Sequence, residues 1–368
     1  MLLTKIRAEM FRNYKSFEIS PAQGLNIFIG HNAQGKTNLL ESIYFNLNAS
    51  SFRAGSDREV INWQANACNV ISFIRHGKRE YKQTVAVNRE GKKKILVNGV
   101  EKKKKDLLHT GVILFTPDDL NLVKNSPGER RKFLDYEIGP FYPNYKYYLG
   151  QYLKILSHRN SVLKNIRNNV EGLDALDVWN DQLVINGTNI LLGRIEVLKK
   201  LTPLIKRWHS LITQGTEKLE INYLSSLNLK KPLQKQDIHN SFIESIKKFR
   251  DQEIRRCQSL VGPHRDDVVF LINGREVKVY GSQGQHRTLV LSLKLAQVSF
   301  FKQQFNTNPI LLLDDVLSEL DNKRREVLLS GIKEGIQTFI TTNDFFYKDL
   351  INGKYKLFTI REGEVASN

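Results

Sequence analysis

The sequence predicts an α/β fold: a mixed sheet with helices, built around a phosphate-binding loop and interrupted by an inserted, mostly helical lobe. Three observations predict it. An apolar run at residues 24–29 ends at Gly30, and helical spacing follows over 36–47, so residues 30–37 form a strand-to-helix turn. From about residue 127 glycine thins out and helical periodicity takes over. Beyond residue 261 short strands return, separated by helices. At 368 residues the chain is long for one core and short for three. The expected division is a first part of the α/β lobe at 1–126, the helical lobe at 127–260, and the second part of the α/β lobe at 261–368.

Element by element, residues 2–11 and 24–29 read as strands, and Leu39, Leu40, Ile43, Tyr44 and Leu47 give the next segment one apolar helical face. Residues 69–115 read as short strands, with Asn98-Gly99 as a hairpin turn. Helical patterns run through 129–138, 144–169, 174–213 and 238–260. Strands are expected at 268–272 and 276–280 around a second turn, Asn273-Gly274, followed by a helix at 284–304. Then come a buried strand at 310–313, a helix near 321–334, a strand at 337–341, a short helix, and a strand near 356–360.

Composition narrows the function classes. A hydrophobic content of 40% supports a packed core and excludes wholesale disorder. The apolar runs are far shorter than the roughly 18–20 residues of a membrane span. Lys5, Arg7 and Glu9 interrupt any secretory apolar region. Cys68 and Cys257 make neither a disulfide framework nor a zinc site, and fit the reducing cytoplasm. Lys and Arg number 56 against 38 Asp and Glu, a net charge of +18 that calls for a polyanionic partner, nucleic acid ahead of an anionic membrane.

Gly30-His31-Asn32-Ala33-Gln34-Gly35-Lys36-Thr37 fits the phosphate-loop pattern G-x4-G-K-[ST]. Its glycines let backbone N–H groups face phosphate oxygens, and the following helix aims its positive end at the same anion. Lys36 is expected on the β- and γ-phosphates of ATP, and the Thr37 hydroxyl on Mg²⁺. The segment 309–315, an apolar strand ending in Asp314-Asp315, supplies the acidic half of such a site. Asp314 is the Mg²⁺-side acid and Asp315 the candidate general base for the attacking water.

Gly281-Ser282-Gln283-Gly284-Gln285, opening a helix before the acidic strand, resembles the signature loop of ABC-type ATPases. Ser318-Glu319-Leu320-Asp321 resembles their D-loop. The start Phe11-Arg12-Asn13-Tyr14 is similar to the opening of the chromosome-maintenance (SMC-like) branch. Within that branch, Glu129-Arg130-Arg131-Lys132-Phe133-Leu134-Asp135, Ser157-His158-Arg159-Asn160 and Gly262-Pro263-His264-Arg265-Asp266-Asp267 resemble the RecF family, as does the lack of a long heptad array.

The resemblance implies a DNA-binding ATPase of recombinational repair that also serves replication and the SOS response. It implies ATP-driven dimerisation, weak DNA-stimulated hydrolysis, and work with RecR and RecO to load RecA at single-stranded gaps. It implies nucleotide contacts from Arg12, Asn38, Ser318 and Asp321. It also implies that Ser282, Gly284 and Gln285 reach the γ-phosphate held by a second subunit. Two departures from the wider ABC pattern, Asp315 for the usual Glu and Thr341-Thr342-Asn343-Asp344 where a switch His is usual, imply slow turnover. The competing classes are a transporter-type ABC subunit, which would want that His and Glu, and a phosphate-loop phosphotransferase, which has no use for a signature loop.

Three signals stay open. Residues 75–105 carry twelve Lys or Arg against three Glu, a net of +9 around the Asn98-Gly99 turn. Lys92, Lys93, Lys94, Lys102, Lys103, Lys104 and Lys105 are candidate DNA contacts, or a solvated hairpin whose lysines guard a sheet edge. The five tyrosines of residues 140–152 could stack bases or fill the lobe core. His264 and Arg265 could form a structural turn or meet a nucleotide-side interface.

Overall fold

The computed structural model describes residues 1–104, 107, 111–139, 142, 144–229, 234–332, 335–344 and 354–367. In chain order it begins with β1 (Leu2–Phe11), β2 (Tyr14–Ile19), β3 (Leu25–Ile29), α1 (Lys36–Asn48), β4 (Ala67–His76), β5 (Arg79–Asn88), β6 (Lys93–Val97), β7 (Val100–Glu101) and β8 (Val112–Phe115). Next come α2 (Pro127–Ile138), α3 (Tyr145–Arg167), α4 (Asp177–Thr213), β9 (Leu219–Leu224), α5 (Lys235–Arg256), β10 (Asp267–Ile272), β11 (Arg275–Glu276) and a short α6 (Val277–Tyr280). The chain ends with α7 (Gln283–Phe305), β12 (Ile310–Asp314), α8 (Asn322–Gly331), β13 (Thr338–Thr342), β14 (Tyr355–Arg361) and β15 (Glu364–Ser367). It forms two compact units, Met1–Leu120 with Arg287–Asn368, and Asn121–His286.

In the first unit one sheet has the order β15-β14-β3-β13-β12-β8. All its pairings are parallel except β14–β15. Every residue of β12 and β13 is buried, which is why 310–313 reads as a continuous apolar run rather than an alternating one. The register aligns Thr342 with Ile29 and Asp314 with Thr341, so the carboxyl ends of β3, β12 and β13 meet along one edge. The other sheet is antiparallel, β2-β1-β4-β5-β6-β7. Helix α1 shares one core with both sheets: Leu39, Leu40, Ile43 and Phe45 pack with Ile6 and Val70 of the antiparallel sheet and with Leu312 and Phe339 of the parallel one. A helix buried this way fixes the phosphate loop that precedes it.

The second unit holds α2 to α6 and a three-stranded antiparallel sheet, β11-β10-β9. It is wider than the expected 127–260 because β10 pairs along its whole length with β9, and so joins the lobe that contains β9. Strands β2, β9 and β15 are additions to the expected set. The expected strand at 276–280 is instead a β11 of two residues and a helical turn, α6. There Gly281 N–H donates to Val277 O at 2.9 Å, and a Cβ on Gly281 would lie 2.4 Å from that oxygen. The glycine lets the turn close, and the local bond overrides the Val-Lys-Val-Tyr alternation. Strands β4 and β5 are ten residues each, longer than expected. Both Asn-Gly hairpins are present, with positive φ at Asn98, Gly99, Asn273 and Gly274. The short helix expected after residue 341 lies largely outside the described residues.

The three sequence blocks that carry the finer family resemblance converge in this second unit. From the first block, Asp135 pairs with Arg194 at 2.8 Å, Arg130 with Asp267 at 2.7 Å, and Arg131 donates to Asp266 O at 2.7 Å. From the second, the Arg159 guanidinium donates to Glu253 at 2.6 Å and to Ser259 Oγ at 2.7 Å. From the third, His264 Nε2 donates to Ser259 O at 3.1 Å while Nδ1 accepts from Tyr152 OH at 2.7 Å, and Arg265 also donates to Ser259 O. Burial pushes the His264 imidazole down to about 4, so it stays neutral and holds this tautomer. His264 and Arg265 therefore brace a turn. Of the 140–152 stretch, Tyr145 and Tyr152 are buried in the lobe and Tyr147 is exposed, while residues 140, 141 and 143 lie outside the described residues.

Candidate nucleotide site and signature loop

The phosphate loop hangs between the end of β3 and the start of α1. Gly35 has φ 115°, and a Cβ there would lie 2.6 Å from Asn13 Nδ2 and 2.8 Å from Tyr14 OH. Those two residues hold the loop from behind: Tyr14 OH donates to Gly35 O at 2.9 Å, and Asn13 Nδ2 to Gln34 O at 3.1 Å. Asn38 Nδ2 donates to Asn13 Oδ1 at 2.7 Å. On the other side a Cβ on Gly30 would lie 2.3 Å from Ile360 O. Only a chain without side chains at these two positions can pass here. The side chains of His31, Asn32 and Ala33 are exposed at the crest.

Arg12 sits at the β1–β2 turn with φ 54°. Its guanidinium donates to both oxygens of the fully buried Glu41, at 2.9 and 2.7 Å, and to Glu59 O at 2.7 Å. Burial alone would raise the Glu41 carboxyl. The hydrogen bonds from Arg12 and Ser51, with the charge of Arg53, overcome it and hold the group below the usual range. The structure thus places Arg12, expected on the nucleotide, on the flank of α1.

Lys36 is 7% exposed, and its ammonium donates to Gly30 O and His31 O at 2.8 Å each and to Asn343 Oδ1 at 2.6 Å. Burial lowers its pKa, and the carboxylates of Asp315 and Asp314 work against that. Asn343 follows β13 directly, within the Thr341-Thr342-Asn343-Asp344 segment where the wider ABC pattern would have a switch His. The missing His is legible in the sequence; the bond from Lys36 to Asn343 is not. Thr37 Oγ1 and Thr341 Oγ1 each donate to Asp314 Oδ1 at 2.8 Å. A hydroxyl and a carboxylate at the mouth of a phosphate loop are hard oxygen donors, a set that suits Mg²⁺ when substrate phosphate oxygens and water complete it.

Asp315 has φ 51°, and its N–H donates to Thr341 Oγ1 at 2.8 Å. Its Oδ1 is buried without a hydrogen-bond partner among the described residues. Burial pushes its carboxyl above the ordinary range and Asp314 and Glu319 add to the rise, while Ser318 and Lys36 oppose it. A carboxylate of raised basicity with an unused lone pair is equipped to accept a proton. Ser318 Oγ donates to Asp315 O at 2.6 Å, and Asp321 caps α8 by accepting from Arg324 N at 2.9 Å.

The signature loop belongs to the second unit. Ser282 and Gln285 form a reciprocal cap at the start of α7: Ser282 N–H donates to Gln285 Oε1 at 2.9 Å, and Gln285 N–H to Ser282 Oγ at 3.2 Å. Ser282 is exposed, with Gly284 beside it. Of the candidate DNA lysines, Lys93 is engaged within the fold by Asp57 at 2.6 Å and Ala49 O at 2.8 Å, and Lys92 pairs with Glu90. Lys94, Lys102, Lys103 and Lys104 are exposed beside the sheet edge at β7, and Lys105 lies outside the described residues.

Comparison with known proteins agrees with this architecture. Residues 2–363 match the family described as RecF/RecN/SMC N terminal domain. The chain is 47% identical over 343 residues to the DNA replication and repair protein RecF of Desulforamulus reducens, covering 93% of this chain and 92% of that one. It is 41% identical over 366 residues to the RecF of Pelotomaculum thermopropionicum, covering both in full. A solved structure described as the recombination mediator protein RecF-ATP in the RecFOR pathway superposes with a TM-score of 0.89 at 35% identity, covering 100% of this chain and 97% of that one. An SMC head bound to the C-winged helix domain of ScpA, at TM-score 0.59 and 15% identity, shares the fold, covering 100% of this chain and 98% of that one. The chain belongs to the RecF family, with the SMC-like ABC ATPase fold.

Proposed function

We propose that this chain is a DNA-binding ATPase that mediates recombinational repair of gaps, dimerising on ATP and acting with RecR and RecO to load RecA. The observation that carries the reading is the meeting of Lys36, Thr37, Asp314 and an Asp315 Oδ1 unpartnered among the described residues at one sheet edge, in a chain whose RecF relatives include one solved with ATP. Lys36 holds the β- and γ-phosphates, and Thr37 with Asp314 would hold Mg²⁺, which would supply positive charge against the phosphates. Asp315 takes the proton of the attacking water. Backbone N–H groups of residues 30–38 line the phosphates. Ser282, Gly284 and Gln285 close on the γ-phosphate held by the partner copy, and Ser318 and Asp321 order the D-loop beside Asp315. Hydrolysis is slow, because Asp315 is a carbon shorter than the usual Glu and Thr341-Thr342-Asn343-Asp344 offers no switch His, and it resets the dimer rather than driving chemistry elsewhere. The protein works in the cytoplasm and joins the nucleoid when on DNA.

The paired variants Ser282→Arg and Asp315→Asn test this. Ser282→Arg is expected to bind ATP as a monomer and fail to dimerise, because the bulk sits on an exposed loop of the second unit while Lys36, Thr37 and Asp314 belong to the first. Asp315→Asn is expected to bind ATP and to remain dimeric, because the base is lost. Sedimentation with ATP and Mg²⁺ reads both, and normal dimerisation of Ser282→Arg sinks the shared-site mechanism.

DNA binding is expected to be sequence-independent and to weaken with salt. Reversing Lys102, Lys103, Lys104 and Lys105 to Glu lowers the slope of log affinity against log salt by about one unit for each DNA phosphate that is no longer neutralised. An unchanged slope removes that hairpin from the DNA surface.

A further inference from the structure

Behind the signature loop stands a side-chain relay in which two members, Glu217 and His209, have no assigned role. The Gln285 amide donates from Nε2 to Glu217 Oε1 at 3.0 Å, and the other Glu217 oxygen accepts from His209 Nε2 at 3.0 Å. His209 is fully buried in the last turns of α4, and Glu217 lies in the connection from α4 to β9. All of these residues belong to the second unit.

The chemistry of the relay is directional. A carboxylate only accepts, so it fixes which end of the Gln285 amide faces it. With Nε2 turned to Glu217, Oε1 must face Ser282 N–H, which is the bond that closes the cap. The flipped amide would set oxygen against carboxylate and NH₂ against N–H, and would lose both bonds.

We infer that Glu217, backed by His209, is a positioning residue that preforms the signature loop in the free subunit. This deepens the reading above and rests on it for the role of the loop. A loop ordered in advance does not have to be ordered when the second copy closes on ATP, so the dimer is stabilised without any contact from Glu217 to nucleotide.

The test uses the full chain. Without nucleotide, hydrogen exchange at the Ser282 and Gln285 amides is expected to quicken in Glu217→Ala and to recover at least in part in Glu217→Gln, whose carbonyl still accepts from Gln285. With ATP and Mg²⁺, Glu217→Ala is expected to weaken dimerisation about five- to tenfold while monomer ATP affinity holds. Placed on Gln285→Ala, the same change is expected to have no further effect, because Glu217 acts through that amide.

Unchanged exchange in Glu217→Ala overturns the inference whatever dimerisation does. So does an equal loss of dimerisation in the Gln285→Ala background, which marks a general structural role. If Ser282→Arg blocks dimerisation and Glu217→Ala does not, the relay alone is wrong. If Ser282→Arg dimerises normally, the shared-site reading is wrong, and the exchange measurement still decides whether Glu217 orders the loop.

Discussion

Lys36→Met is expected to weaken ATP binding by at least about a hundredfold, since charge-assisted hydrogen bonds to phosphate contribute about 1.5–3 kcal/mol each. The ammonium is buried at the loop and flanked by the carbonyls of Gly30 and His31, which cannot themselves attract an anion. Without it, the phosphates meet oxygen dipoles and two nearby carboxylates, Asp314 and Asp315, and the ammonium's charge no longer offsets them. Methionine fills similar space, so the fold is expected to persist. Equilibrium binding of ATP to the purified variant decides the matter, and an affinity equal to wild type would overturn the phosphate-loop reading.

The second large effect is on stability. Arg159→Met is expected to destabilise the second unit by about 3–5 kcal/mol, because it strands a buried carboxylate. Glu253 is fully buried, and one of its oxygens is bonded to Arg159 at 2.6 Å. The other accepts from Leu260 N at 2.7 Å, a neutral donor that leaves the charge in place. Replacing both partners, Arg159→Met with Glu253→Leu, is expected to recover much of the loss. Trp179 and Trp208 lie in this unit, so denaturant unfolding followed by tryptophan emission reads it. A single-variant loss below about 1 kcal/mol would show that the pair is not what holds these helices.

Most helices and the buried strands are legible in the sequence because their signals are local. A run of four apolar residues ending in two acids needs no partner to be recognised, and neither does a Gly-Lys-Thr loop between a strand and a helix. The sequence misleads where pairing is decided at a distance. Residues 219–224 alternate, yet they sit between helices, and only their register with β10 makes them a strand and draws β10 into the second unit. The expected strand at 276–280 loses to one backbone bond at Val277. At the site, the residues contiguous in sequence are within reach of sequence reasoning. The direction of Arg12 is not, because its target, Glu41, looks like any other helical residue until both are placed. Lys93 counts equally with its neighbours in the charge run, although Asp57 and Ala49 already hold it. Nothing in the linear chain points Gln285 at Glu217.

The strand order of the parallel sheet has a consequence for biosynthesis. β3, which leads into the phosphate loop, is flanked by β13 and β14, both encoded beyond residue 337. As the chain leaves the ribosome, β3 therefore waits for its neighbours while the whole of the second unit, ending at His286, has already been made. The loop cannot be held at the right height until the last strands dock, and long-range parallel pairing of this kind is slow. Competence for nucleotide is thus expected to come late in folding, after β13 and β14 have paired with β3. A prematurely terminated product lacking β13 and β14 carries the entire Gly-Lys-Thr segment but neither of the two strands that flank β3.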